Sequence, residues 1–274
     1  MLPALRHRTL LSILGVALAV TPGLAVSAVA GGQSTSPELL PDLRQEAPSQ
    51  VAVRRVGGHV VLAFRSAVAN VGRGPLVMTG RRVRGERLMT VTQQVHRADG
   101  SVSQVPIVSR MTYQPGGHRH WHLQGFERFS LHNASTGRLV SVSRKVGFCL
   151  GSRYRVTPPV PGTPGTPAYS HNCGPHMPGL MTMRMGIDVG YVDDYLAMVE
   201  FQYIDITQVR SGTYLLAHQA DPGHRLRVGN RVDDTAYAWI RLYPPAAPHA
   251  LPRVAVVGRC AGGPASTCPA PLGV

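Results

Sequence analysis

The sequence predicts an all-β protein, a β-sandwich of short antiparallel strands with long irregular loops. Three observations predict it. Apolar and polar residues alternate over short runs, the period-2 pattern of strands with one buried face. The chain carries 30 glycines and 23 prolines, clustered with Asn, Asp and Ser between those runs, where turns belong. No helical period persists for three turns, so no long amphipathic helix competes with this reading.

The first residues stand outside the pattern. Arg6 and Arg8 make a positive start, Leu10 to Val20 an apolar run, Thr21-Pro22-Gly23 a break and Ala28-Val29-Ala30 a small-x-small cleavage site. The run is too short to cross a bilayer and a cleavage site follows it, so residues 1–30 read as a secretory signal peptide removed after Ala30. No later segment has the length of a membrane span. The exported remainder, roughly 244 residues, suffices for one core with room for loops. It reads as a main domain over 31–243 and a Pro/Ala-rich tail over 244–274.

From Gly31 to Gln50 the chain is polar up to Leu40-Pro41-Asp42-Leu43. Val51 to Val56 and His59 to Ala69 are valine-rich strands, Asn70 to Gly74 a turn, and Leu76 to Thr79 begins the next strand. Leu88 to His96 alternates, Ala98-Asp99-Gly100 turns the chain into Val102 to Val108, and Arg110 to Gln114 leads to a histidine-rich strand. Phe126 to His132 and Leu139 to Leu150 form a hairpin across Asn133 to Gly137, which carries Lys145 back towards those histidines. Arg153 to Ala168, with Pro158-Pro159, Pro161, Pro164 and Pro167, is a long loop without regular structure. Strand patterns resume around Met185 to Tyr195, Glu200 to Ile206 and Thr213 to His218, and end with Thr235 to Leu242.

The formal charge is +14, and the two signal-peptide arginines leave about +12 on the exported chain. Such a charge suits anionic polymers, walls or acidic substrates. The arginines are scattered, with no recognition helix or aromatic-basic platform, so no nucleic-acid partner is expected. Four cysteines in an exported chain favour disulfides. Proximity in sequence favours Cys149 with Cys173 and Cys260 with Cys268, and the absence of a Cys-x-x-Cys spacing argues against a thiolate-zinc site.

His118-Arg119-His120-Trp121-His122 follows Gly116-Gly117. In an extended strand alternate side chains share a face, so three imidazoles would point one way and Arg119 and Trp121 the other. Imidazole is the common ligand for copper, zinc and iron. A histidine-rich strand edge would show the same letters. Among 28 basic residues one alone is lysine, Lys145. In a chain that uses arginine for nearly every cation, a retained amine fits a role guanidinium cannot fill, that of a nucleophile.

Taken together, three blocks resemble the lysyl oxidase family over roughly Leu40 to Tyr243. His118 to His122 resembles its copper-binding His-x-His-x-His. Arg144-Lys145-Val146-Gly147-Phe148-Cys149-Leu150 is similar to the segment around its cofactor lysine. Tyr195 through Gln202-Tyr203-Ile204-Asp205-Ile206-Thr207 resembles the stretch from its cofactor tyrosine onward. The resemblance implies copper on His118, His120 and His122, and a lysine tyrosylquinone made from Lys145 and Tyr195. It further implies oxidation of a primary amine, on a small molecule or on lysine side chains of proteins or peptides, by molecular oxygen, giving an aldehyde, ammonia and hydrogen peroxide. Tyr191 competes with Tyr195, whose distance to Gln202 matches the family.

The chain also departs from the family. Arg128 stands where the family has a histidine, and one residue is missing between His122 and Lys145. Glu127, Asp194 and Asp205 are therefore the carboxylates to weigh as the base. Pro41-Asp42-Leu43 and Asp233-Asp234 match segments that hold calcium in the family, with Val228 in place of an acidic residue; Asp42, Leu43, Asp233 and Asp234 are the candidate ligands. The expectation is a secreted copper amine oxidase. The rivals are a three-histidine oxygenase or hydrolase without a quinone, and a copper-binding or wall-associated module without activity.

Overall fold

The computed structural model describes residues 36–170, 172–263 and Cys268. The expected signal peptide and its cleavage after Ala30 lie outside these residues, as does His171. The described residues contain strands and no helix, so none is long and apolar enough to cross a membrane.

In chain order the strands are β1 (Glu38–Leu39), β2 (Leu43–Gln45), β3 (Ser49–Val56), β4 (His59–Asn70), β5 (Leu76–Arg81), β6 (Leu88–Arg97), β7 (Val102–Gln114), β8 (His120–Gln124) and β9 (Glu127–Asn133). There follow β10 (Leu139–Val142), β11 (Gly147–Phe148), β12 (Tyr154–Arg155), β13 (Thr182–Ile187), β14 (Tyr191–Tyr195), β15 (Tyr203–Asp205), β16 (Gly212–Ala220), β17 (Thr235–Tyr243) and β18 (Arg253–Ala261). All pairings are antiparallel.

One sheet runs β11-β8-β7-β6-β5-β13, with β1 on β6; a second runs β10-β9-β16-β17-β18. The third is built on β4, which pairs with β2 and β3 along one edge and with β14 and β15 along the other. Inward residues of all three meet in one apolar core: Leu62 and Phe64 from β4, Met78, Met89, Met111 and Leu123 from the first sheet, and Phe129, Leu131, Leu216 and Ile240 from the second. Phe64 and Phe129 contact edge to face with centroids 5.1 Å apart. Each such fully buried side chain contributes about 1.5–3 kcal/mol through removal from water.

Several boundaries differ from the sequence reading. Glu200 to Ile206 shortens to β15, with Glu200 in the turn before it, and Leu139 to Leu150 divides into β10 and β11. Thr235 to Leu242 is not the last strand: β18 lies within the expected tail and pairs with β17 from Tyr243↔Arg253 to Ala236↔Ala261. Its Val254, Val256 and Val257 are half-buried and pack on the core, an alternation hidden among prolines and alanines. The proline-rich loop starts with a short strand, β12, on β14. Its far end is tied down by Asp188, whose Oδ2 accepts from the Ala168 amide at 2.9 Å and the Ser152 hydroxyl at 2.8 Å. Both expected disulfides are present, Cys149–Cys173 and Cys260–Cys268.

Candidate active site

The three histidines do converge, though not as a flat row. Only His120 and His122 belong to β8, alternating around the buried Trp121. His118 sits in the preceding turn, and Arg119 between it and the strand has φ +49°. That left-handed backbone, uncommon for a residue with a Cβ, folds His118 back over the strand. The ring centroids are 5.2 Å (His118–His120), 5.0 Å (His118–His122) and 4.7 Å (His120–His122) apart. One nitrogen from each ring lies within 4.8 Å of the others, and the Nε2 atoms of His120 and His122 are 2.8 Å apart. Among the described residues this is the one group of three or more potential ligands that close.

Neighbours hold the histidine segment from both sides. The Trp121 amide donates to the Cys173 carbonyl at 2.8 Å and its indole N–H to the Met177 carbonyl at 3.0 Å. On the same edge β11 pairs Gly147 with Gln124 and Phe148 with Leu123, while β7 pairs along the other edge. Gly147 packs against the imidazole: a Cβ there would lie 2.7 Å from His122 Nδ1. That close approach accounts for a glycine in this strand.

The β11 edge also delivers Lys145. Its amide donates to the Ser143 hydroxyl at 3.1 Å, and its side chain is buried, with Nζ 5.1 Å from the centroid of the Tyr195 ring and 5.3 Å from that of Phe148. Burial pushes the ammonium down to about 8, against the pull of Glu127, Asp193 and Glu200. Tyr195 ends β14 and is buried. Its hydroxyl lies 2.8 Å from the Cys149 carbonyl and 3.1 Å from Asp193 Oδ2, both acceptors for its proton. Burial, then the charges of Asp193 and Glu127, hold this phenol well above the ordinary tyrosine range.

Strand parity sorts the carboxylates. Asp193 and Tyr195 share the inner face of β14, while Asp194 faces out and pairs with Arg65 Nε at 2.8 Å. Asp205 pairs with His59 at 2.8 Å and caps Thr207. Of the three carboxylates singled out in the sequence, Glu127 alone joins the buried cluster. It accepts from Gln45 Nε2 at 2.8 Å and has the Ser66 hydroxyl at 3.3 Å. Burial and the nearby Asp193 push it up to about 8. The sequence reading passed over Asp193, although a position two before Tyr195 on an alternating strand places it on the tyrosine's own face. Arg128, next to Glu127, faces the other way. It lines a cleft of about 520 Å³ on the outer face of the second sheet, with His132, Gln219, Tyr237 and Trp239.

Three histidines, Lys145, Tyr195, Cys149, Arg153, Val199 and Glu200 line one cleft of about 410 Å³. Tyr191 does not enter it; its hydroxyl meets the Pro164 carbonyl and Arg155 beneath the proline-rich loop.

Of the residues marked for calcium, Asp42 and Asp233 come together. Burial and then the charge of Asp233 raise Asp42, and Asn230 donates to Asp233 Oδ1 at 2.9 Å. Asp234 turns to Thr235, at 3.0 Å, and has Asp221, His224 and Arg231 in its surroundings. Leu43 places its side chain in the core and pairs with Asn70.

Comparison with known proteins matches the chain to one family. Residues 77–231, more than half of the chain, match the family model described as Lysyl oxidase. The chain is 30% identical to Protein-lysine 6-oxidase of Rattus norvegicus over 109 residues, covering 39% of this chain and 23% of that protein. The same protein of Sus scrofa is 30% identical, with 39% and 37% covered, and that of Homo sapiens 29%, with 39% and 22%. The alignments thus span 22–37% of the length of these relatives. On the extent of the family match, the chain belongs to the lysyl oxidase family.

Proposed function

We propose that this protein is a secreted copper- and quinone-dependent oxidase of primary amines. The observation that carries the reading is the position of the Lys145 amine, 5.1 Å from the Tyr195 ring centroid and in one cleft with three converging histidines. The donor set suits copper: three imidazole nitrogens within 4.8 Å of one another and no thiolate, since the cysteines are paired. His118, His120 and His122 would hold the ion, and Lys145 and Tyr195 would become the lysine tyrosylquinone. Copper with molecular oxygen would supply the oxidising power that turns the phenol into a quinone, which in turn takes electrons from the amine.

The chain's own groups prepare that chemistry. Lys145 must attack as a neutral amine, and burial that lowers its pKa to about 8 raises the neutral fraction near physiological pH. Phe148 and the Cys149 carbonyl hold the tyrosine it would join. Asp193 accepts the hydrogen bond of the phenol and is placed to take its proton. Glu127, protonated at neutral pH, adds no second negative charge to the pocket. A primary amine would enter by the cleft, as a small molecule or a lysine side chain of a protein or peptide, and leave as an aldehyde, with ammonia and hydrogen peroxide released. Export is supported by the leader-like residues 1–30 and by the two disulfides. The main domain would start at 31 and take in β18, beyond its expected end at 243. Calcium would bind between Asp42 and Asp233, and Asp233→Asn should abolish any rise in Tm on adding calcium.

The mature protein, loaded with copper under air, should develop a quinone absorbance, take up phenylhydrazine and yield a peptide in which Lys145 is joined to Tyr195. An unmodified Lys145 after full copper loading and aeration would overturn the quinone. Activity surviving Lys145→Arg would instead indicate a three-histidine oxygenase or hydrolase. Copper uptake with no peroxide from any amine would indicate a binding module.

A further inference from the structure

Glu200 lies where the two halves of the site meet. Its carboxylate Oε2 is 3.1 Å from His118 Nε2, and its main-chain carbonyl receives Lys145 Nζ at 3.4 Å. The next residue, Phe201, has φ +59°, a sparsely populated conformation for an aromatic residue. The turn is held by the Gln202 amide on the Val199 carbonyl at 3.1 Å and by the Ser143 hydroxyl on the Phe201 carbonyl at 3.2 Å. It thus directs the Glu200 side chain towards the histidines and its carbonyl towards the lysine.

We propose that Glu200 is the positioning residue that fixes His118 for copper and sets Lys145 beside it, an inference that rests on the copper reading above. A ring that donates Nε2–H to a carboxylate has its tautomer fixed, leaving Nδ1 as the lone-pair nitrogen, and its orientation is held before the ion arrives. His120 and His122 instead turn their Nε2 atoms towards each other, 2.8 Å apart. His118 would therefore bind through the opposite nitrogen from its two partners. The three-histidine group includes no carboxylate among the described residues, so in this proposal Glu200 acts through His118 rather than as a ligand.

The test uses the mature chain with Glu200→Gln, Glu200→Ala and Glu200→Asp, with Glu86→Gln on the exposed surface as control. Copper(II) affinity is measured by chelator competition, the ion's surroundings by electron paramagnetic resonance, and Lys145–Tyr195 joining by peptide mass. Glu200→Ala should weaken copper binding roughly 10- to 100-fold, change the resonance spectrum and reduce joining. Glu200→Gln, which still accepts a hydrogen bond, should fall between, and Glu200→Asp should recover part of both. Wild-type affinity and spectrum in Glu200→Ala would overturn the proposal, as would loss of a direct oxygen ligand from the copper. If wild type binds copper without joining Lys145, the quinone reading fails while the affinity comparison still decides the role of Glu200. If wild type binds no copper, both fall.

Discussion

The Lys145 amine and the Tyr195 ring come together from different sheets, with Nζ 5.1 Å from the ring centroid. Lys145 lies two residues before the β11 edge of the first sheet, and Tyr195 ends β14 in the third. Replacing Lys145 by Arg should leave copper stoichiometry unchanged and eliminate both the phenylhydrazine adduct and the joined peptide. A guanidinium stays protonated and cannot add to the ring. Mass spectrometry of the copper-loaded variant checks this.

The pH dependence of joining should follow the lysine. With its pKa lowered to about 8, the neutral fraction climbs from roughly a tenth at pH 7 to roughly nine-tenths at pH 9. The joining rate at saturating copper should therefore rise about tenfold across that interval. A rate flat over the same range would show that deprotonation of Lys145 does not control the step.

Glu127 gives a stability signature of opposite sense. Its folded pKa is raised from 4.5 to about 8, so between those values the folded state holds a proton that the unfolded state has lost. Stability is full below the unfolded value and declines as pH rises through the folded one. Glu127→Gln should flatten this decline between about pH 5 and 8, measured as Tm against pH.

His218 should behave as a packing residue. It is fully buried between Phe64 and Phe129, with centroids at 4.7 and 4.8 Å, and neither ring nitrogen has a hydrogen-bond partner. Burial depresses it to about 3, so the folded state resists protonation and stability is lost as pH falls below the ordinary histidine value. His218→Leu should keep or raise Tm, remove part of that acid sensitivity and leave copper binding unchanged. A drop in copper stoichiometry would contradict this, since His218 does not line the cleft of the three histidines.

Gly147→Ala should damage the proposed metal centre with little effect on the fold. The added methyl would meet His122 Nδ1 at 2.7 Å and Gln124 Nε2 at 3.0 Å, so the imidazole must shift. Copper affinity should fall at least tenfold, a figure in line with losses when the surroundings of a metal ligand are disturbed, while circular dichroism stays that of wild type.

Much of this was legible in the letters because strands write their faces into a period of two. Alternation and turn residues were enough to place β4, β6, β9 and β16 nearly to their ends, whereas β7 continues past its expected end at Val108 to Gln114. The lone lysine and the cysteine spacings pointed at Lys145 and at both disulfides. What stayed hidden depended on contacts distant in sequence. β18 is recognisable as a strand only by its pairing with β17. The choice between Asp193 and Asp194 turns on which face Tyr195 takes. Glu200 owes its position to the left-handed Phe201, which no composition rule marks.

The backbone at Arg119 has a consequence for reach. Along a straight strand the first and third histidines of such a motif would be separated by about 13 Å, four residues at roughly 3.3 Å each. Imidazoles standing that far apart on parallel stalks could serve one ion only in neighbouring pairs. Here the outer two rings are 5.0 Å apart, with the left-handed backbone at Arg119 between them, so all three could reach one ion. A β-branched residue at position 119, which resists positive φ, should therefore cost the proposed copper site its third ligand while leaving every histidine in the sequence.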